Sequence, residues 1–190
     1  MSQHAPAPRI RPLTGSALDD VAGLLPQMTV AGSVTAGRSN IFTTLVRHPE
    51  LFRTWTALLE VLLNGALPAR DRELLVLRTG WNCRSEYEWG QHVVVGRRVG
   101  LTDDEIQQVR VGASAPGWDD TTSVLLRAAD ELHAGARLSE PTWTALADLY
   151  DEQQLIEIVM VVGHYHMVAM VLNSLQVERD PGIPGFDAPA

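Results

Sequence analysis

Ser85, Glu88, Trp89 and His92 stand at i, i+3, i+4 and i+7, the spacing that puts four side chains on one face of a helix. Glu88 and His92, four apart, are within reach of a carboxylate–imidazole hydrogen bond. Such a bond orients the ring and raises the basicity of its far nitrogen. Twelve positions before Ser85 lies Glu73, in a run that is otherwise nearly all apolar; a carboxylate in such surroundings suits a proton-transfer group. The same residues also have a purely structural reading. Ser85-x-x-Glu88 is a capping-box pattern, Glu86 and Glu88 complement a helix dipole, His92 reads as a hydrogen-bonded half-buried histidine, and Glu73 as a buried partner of Arg70, Arg72 or Arg78.

The elements that must hold these residues are all helical, since no strand-type alternation survives along the chain. The first sixteen residues are rich in proline and polar residues and are expected to wrap loosely on the surface. A short helix fits Ala17 to Leu25, followed by a loop of small residues over 29–39, "TVAGSVTAGRS", of the kind that borders a substrate pocket. Helical patterning runs from Asn40 to His48 and restarts at Pro49, with Leu51, Trp55, Leu58, Leu59 and Leu62 as its core stripe. Asn64-Gly65 closes that helix and Pro68 opens the next, where Leu74, Leu75, Val76 and Leu77 make an almost all-round apolar surface. The helix through "EYEWGQHVVVGRR" ends at Gly100, and Thr102-Asp103-Asp104-Glu105 starts another with a capping box. Further helices are expected from Asp119 to Ala134, after Ser139, and from Glu152 to Leu175, with an irregular tail over 179–190. "WTALLE" at Trp55 and "WTALAD" at Trp143 each precede a strongly apolar helix, a hint of two similar helical halves.

Composition bounds what this frame does. At 190 residues with 45% hydrophobic content the chain makes one globular domain over 1–190. A net charge of −8 argues against binding to nucleic acid or an anionic membrane. One cysteine forms no intrachain disulfide, and "MSQHAPAPRIRPLTG" lacks an apolar signal core, so the expected location is the cytoplasm. The most apolar run, Leu155 to Leu172, approaches membrane-span length but contains Glu157 and His164-Tyr165-His166, which are costly in lipid. It reads as a buried central helix.

The order Glu73, eleven residues, Ser85, two residues, Glu88, three residues, His92 resembles the alkylhydroperoxidase D motif E-x11-C-x2-C-x3-H. Around it, "RELLVLRTG", "EYEWGQHV", "GLTDDEI", "LLRAADELH" and "GHYHMVAMVLNSL" resemble the carboxymuconolactone decarboxylase side of the same superfamily, over roughly residues 40–186. The resemblance implies an all-α, alkylhydroperoxidase D-like helical fold and homo-oligomers whose neighbouring helices help wall the sites. In the peroxidase branch two cysteines reduce the hydroperoxide, with Glu and His relaying protons. Here the two cysteine positions are Ser85 and Glu88, and Cys83 lies two residues before the first, roughly 200° round a helix.

The decarboxylase branch needs no sulfur. The resemblance therefore implies a cofactor-free acid/base enzyme, carrying out decarboxylation or a lactone or enol rearrangement of a small carboxylated substrate. His92 is its expected acid/base, steered by Glu88, with Glu73 as the second proton-transfer group. Ser85, Trp89, Tyr165 and His166 are the expected substrate contacts, and Arg70, Arg72 or Arg78 the carboxylate holder, Arg70 foremost. Trp81, Tyr87 and Trp89 would supply an aromatic wall. His164 and His166, two apart on a helix, point to nearly opposite sides, so a metal held by both with His92 is disfavoured, and no metal is expected. Two rivals stand beside this reading: a peroxide reductase using Cys83 with an external thiol, and a non-catalytic helical oligomer that binds a ligand or partner.

Overall fold

The computed structural model describes residues 7–25 and 38–187, and among them every regular element is helical. The expected loop over 29–39 falls outside the described residues except for Arg38 and Ser39. Two short elements, α1 (Ser16–Asp19) and a 3-10 turn (Ala22–Leu24), replace the single helix expected over 17–25. They are followed by α2 (Asn40–Leu45), α3 (Pro49–Leu63), α4 (Ala69–Asn82), α5 (Glu86–Arg98), α6 (Asp103–Val111), α7 (Asp120–Gly135), α8 (Glu140–Ala147) and α9 (Glu152–Leu175).

Four consecutive fully buried residues, Leu74 to Leu77, require α4 to be covered on all sides. It packs against α5, α6, α7 and α9. The other central helix is α9, whose length and apolar composition would suffice to cross a membrane. In the fold it buries Leu155, Ile158, Val161, Val162, Tyr165, Val168, Ala169 and Leu172 against its neighbours. Its opposite face leaves Ile156, Met160, Met167 and Met170 exposed. The carboxyl of Glu157, on α9, accepts from the backbone N–H groups of Ala66 (2.9 Å) and Leu67 (2.7 Å), pinning the turn between α3 and α4.

At three helix starts the local signals act as their chemistry requires. Thr102 and Asp151 form complete capping boxes with Glu105 and Gln154, and Asp119 caps α7 through Thr122. The stripe of α3 differs from expectation: Leu51 is 60% exposed and Leu58 37%, while Phe52, Trp55, Leu59 and Leu62 are buried. The true row follows i, i+3, i+7, i+10, and Phe52 wins the inward position because its ring packs with Phe42 and Trp55. The two "WTAL" segments also part company, since Trp55 is buried and Trp143 is 44% exposed.

The tail after α9 has no helix, yet it is tied down. Asp180 accepts from the Tyr87 hydroxyl (2.7 Å), the Asn40 backbone N–H (2.8 Å) and the Gln91 amide. The Phe186 ring meets Trp81 and Trp89, and Arg110 donates to its carbonyl. Gly90 permits this docking, because a Cβ there would stand 2.1 Å from the Pro184 carbonyl oxygen. Gly90→Ala is therefore expected to cost about 1–3 kcal/mol and to lift the tail from α5. Urea denaturation with limited proteolysis tests this; wild-type stability and an equally protected tail would contradict the docking.

Candidate active site

Helices α4 and α5 meet closely. Gly80 of α4 brings its backbone to within 3.4 Å (from an ideal Cβ) of the Trp89 backbone nitrogen, and the chain reverses between them through Arg84 in the left-handed region (φ 53°). This approach lets Glu73 of α4 reach His92 of α5. His92 Nδ1–H donates to Glu73 Oε2 at 2.6 Å, and Arg72 Nε lies 3.3 Å from the other oxygen. Glu73 is completely buried. Arg72 is anchored in turn by donating to the Leu63 carbonyl (2.9 Å). The carboxylate that orients the imidazole is thus Glu73 and not Glu88, although Glu88 is the i−4 neighbour. The inter-helix hydrogen bond takes the ring nitrogen that the local pair would have used.

His92 lines a cavity of about 410 Å3 between α2, α3, α5, α9 and the docked tail. With Nδ1 engaged, Nε2 is the nitrogen left for a bound molecule. Tyr165 stands edge-on to the His92 ring, centroids 4.9 Å apart, and also lines the cavity, as do Glu88, Gln91 and His164. Apolar walls come from Phe42, Trp55, Leu59 and Val168, and Arg38 and Arg98 are the cations of the lining.

Several polar atoms here have no protein partner. Glu88 Oε2 is buried without a hydrogen bond, as are both ring nitrogens of His164. Unpaired buried polar atoms are uncommon and call for a reason; both residues line the cavity. Burial pushes the Glu88 carboxyl well above the usual carboxylate range, which favours its protonated form. Burial, reinforced by the nearby His92, lowers His164 to about 4 and keeps it neutral. The His164 ring lies parallel to Trp55 (interplanar 2°).

The other expected contacts lie elsewhere. Ser85 is the N-cap of α5 and fully buried and does not line this cavity; its hydroxyl makes no capping bond, so the capping box with Glu88 is not formed. Trp89 is buried among Trp81, Phe186 and the Arg110 guanidinium. The cavity face of α5 runs through Tyr87, Glu88, Gln91, His92, Val95 and Arg98. Glu88 and His92 sit at its border, and Ser85 and Trp89 turn away toward α4 and the tail. Tyr87 is thus the one member of the expected aromatic wall that reaches the cavity. Arg70 is occupied by Glu105 and Thr122, and Arg78 by Asp130, both away from the cavity.

His164 and His166 do point to opposite sides of α9. It is His164 that faces the cavity, while His166 contacts His133 of α7. Cys83 is the C-cap of α4 and is half-buried; burial and the Glu88 carboxyl push its thiol up to about 11. It does not line the cavity. Sequence reasoning missed Gln91 and Arg98, whose signal was their spacing of three and ten from Glu88 along α5.

The two perturbed cavity groups shape stability against pH. Unfolded Glu88 loses its proton near 4.5 while the folded group keeps it, so stability falls as pH rises from there through the folded value. Unfolded His164 gains a proton near 6.5 while the folded ring refuses it down to about 4, so stability also falls on acidification across that window. Each proton changes the slope by at most about 1.4 kcal/mol per pH unit. Urea denaturation across pH should therefore show Glu88→Gln flattening the alkaline limb and His164→Phe the acid limb. Limbs parallel to wild type would remove these groups from the pH response.

Residues 49–131 match the family model described as carboxymuconolactone decarboxylase family. No curated protein matches the chain. Among solved structures, an uncharacterized peroxidase-related protein from Silicibacter sp. TM1040 aligns with a TM-score of 0.78 at 15% identity, covering 96% of this chain and 97% of the other. An alkylhydroperoxidase AhpD core protein from Ralstonia eutropha JMP134, also peroxidase-related and uncharacterized, gives 0.75 at 19%, covering 90% and 93%. The debrominase Bmp8 gives 0.75 at 14%, covering 90% and 92%. At these identities the likeness is one of fold. Residues 49–131 are thus similar to the carboxymuconolactone decarboxylase family, and the described residues share the helical fold of the alkylhydroperoxidase D-like structures.

Proposed function

We propose that this protein is an acid/base enzyme whose cavity takes a small carboxylated organic molecule and catalyses decarboxylation or a related lactone or enol rearrangement. The observation that carries the reading is the 2.6 Å hydrogen bond from His92 Nδ1 to the buried Glu73, beside a cavity that the only cysteine does not line. Glu73 touches no part of the cavity, so it is a positioning residue: it holds the tautomer and orientation of His92. His92 is the proton-transfer group. The neutral Glu88 donates a hydrogen bond to the oxygen on which negative charge develops, a role that only a protonated carboxyl fills. Arg38 and Arg98 supply positive charge for the substrate carboxylate.

In the decarboxylation, the bond from carbon to the carboxylate breaks and carbon dioxide leaves. The electron pair moves into an enolate whose oxygen Glu88 holds, and His92 delivers a proton to the carbon. Solvent restores the proton to His92. Tyr165 packs against the ring and limits its rotation. A thiol mechanism lacks this support, because the Cys83 thiol is held protonated outside the cavity.

Carbon dioxide release from a panel of small carboxylated lactones and β-keto acids tests the reading. His92→Ala is expected to lower turnover by at least about a hundredfold, whereas Cys83→Ser or thiol alkylation leaves it intact. Turnover that survives His92→Ala, or that alkylation abolishes, would sink the assignment.

The homo-oligomeric state that the resemblance implies is part of the same proposal. Ile156, Met160, Met167 and Met170 form an exposed row at i, i+4, i+11 and i+14 on α9, which a second copy of this chain would cover. Light scattering should report an oligomer for the wild type and a smaller species for the Met160→Glu/Met167→Glu double variant. A monomeric wild type would overturn this part.

A further inference from the structure

The face of α9 turned away from the cavity carries a second cluster. Cys83 at the end of α4, His133 on α7 and His166 on α9 bring one thiol and two imidazoles together, with the ligand atoms all within 4.8 Å of one another. His133 Nδ1 lies 2.8 Å from His166 Nε2 and 3.8 Å from Cys83 Sγ. We infer that these three side chains form a binding site for a borderline-soft divalent cation of the zinc class, separate from the cavity at His92.

Four features carry this. Sulfur with two imidazoles is a donor set that zinc and cobalt prefer over the oxygen-seeking cations. Tetrahedral coordination at ordinary bond lengths needs about 3.3 Å between two nitrogens and about 3.6 Å between nitrogen and sulfur. The distance from Cys83 Sγ to His133 Nδ1 is already close to that, and the histidine pair needs to open by about 0.5 Å. The tautomer of one ligand is set in advance: His166 Nδ1–H donates to the Val162 carbonyl at 2.9 Å, which turns the Nε2 lone pair toward His133. A ligating histidine tied at its other nitrogen to a carbonyl is the usual arrangement around metals.

The remaining feature is support. Asn173 of α9 donates to the Cys83 carbonyl at 3.0 Å, fixing the backbone that carries the thiol. Asp130, one turn before His133 on α7, is held by Arg78 and Asn82 of α4, so the helices bearing the ligands are already cross-linked. His133 is exposed, leaving the fourth position to water. An ion here would clamp the C-terminal end of α4 to α7 and α9, with the thiol proton and the proton between the two histidines released to solvent.

Titration of untagged, metal-free protein with Co2+, followed by competition with Zn2+, tests the site. One equivalent of Co2+ is expected per chain, with a near-ultraviolet thiolate charge-transfer band that Cys83→Ser abolishes. His133→Ala and His166→Ala should each weaken binding by at least about tenfold, while circular dichroism reports retained helicity. His164→Phe, in the cavity, should leave binding unchanged. Co2+ binding without the charge-transfer band, affinity indifferent to His133→Ala, or loss of binding in His164→Phe would each overturn the inference. None of these readouts depends on turnover, so they stand or fall apart from the proposed activity.

Discussion

The contact between Glu73 and His92 is the constraint around which the molecule is arranged. A carboxylate with no solvent exposure is costly unless every oxygen finds a donor. Here one oxygen takes the imidazole N–H and the other faces the Arg72 guanidinium. That pairing demands that α4 be buried around Leu74–Leu77, that α5 approach it closely at Gly80, and that Arg72 be anchored on the end of α3. The same contact decides which nitrogen of His92 faces the cavity. Fold and site are therefore linked through one hydrogen bond.

The cavity treats its polar groups in the opposite way. Where Glu73 is fully paired, Glu88 Oε2 and the His164 nitrogens are buried without partners. A buried polar atom without a partner costs stability. Two carboxyl groups fifteen residues apart in the chain thus acquire different characters from their surroundings: one is held in an ion pair, the other is pushed toward its neutral form by burial. Environments that separate two such groups are how a single fold assigns proton donor and acceptor roles.

Much of the helical frame was legible in the chain itself, because caps, glycines and apolar runs act locally. The capping boxes at Thr102 and Asp151, the all-round burial of Leu74–Leu77 and the opposed directions of His164 and His166 follow from periodicity and short-range hydrogen bonding. Choices between nearly equivalent faces were not legible. Phe52 displaces Leu51 from the core because of two aromatic neighbours, one of them from another helix. Trp89 is drawn into a cluster completed by Phe186, nearly a hundred residues away. Arg70 looks available beside the motif, yet Glu105 and Thr122 occupy it.

By itself the sequence determined that the protein is helical, where most of its helices begin, and that Glu73, Ser85, Glu88 and His92 follow one another at the spacing E-x11-S-x2-E-x3-H. Those properties rest on spacing and residue type, which no neighbour alters. Only the tertiary structure decided that Glu73 and not Glu88 holds His92, that Glu88 is buried without a partner for Oε2, and that Cys83 belongs with His133 and His166 on the far side of α9. The physical reason is common to all three. The partner that wins each polar atom comes from a different helix, and its distance is set by how α4, α5, α7 and α9 pack rather than by any interval along the chain.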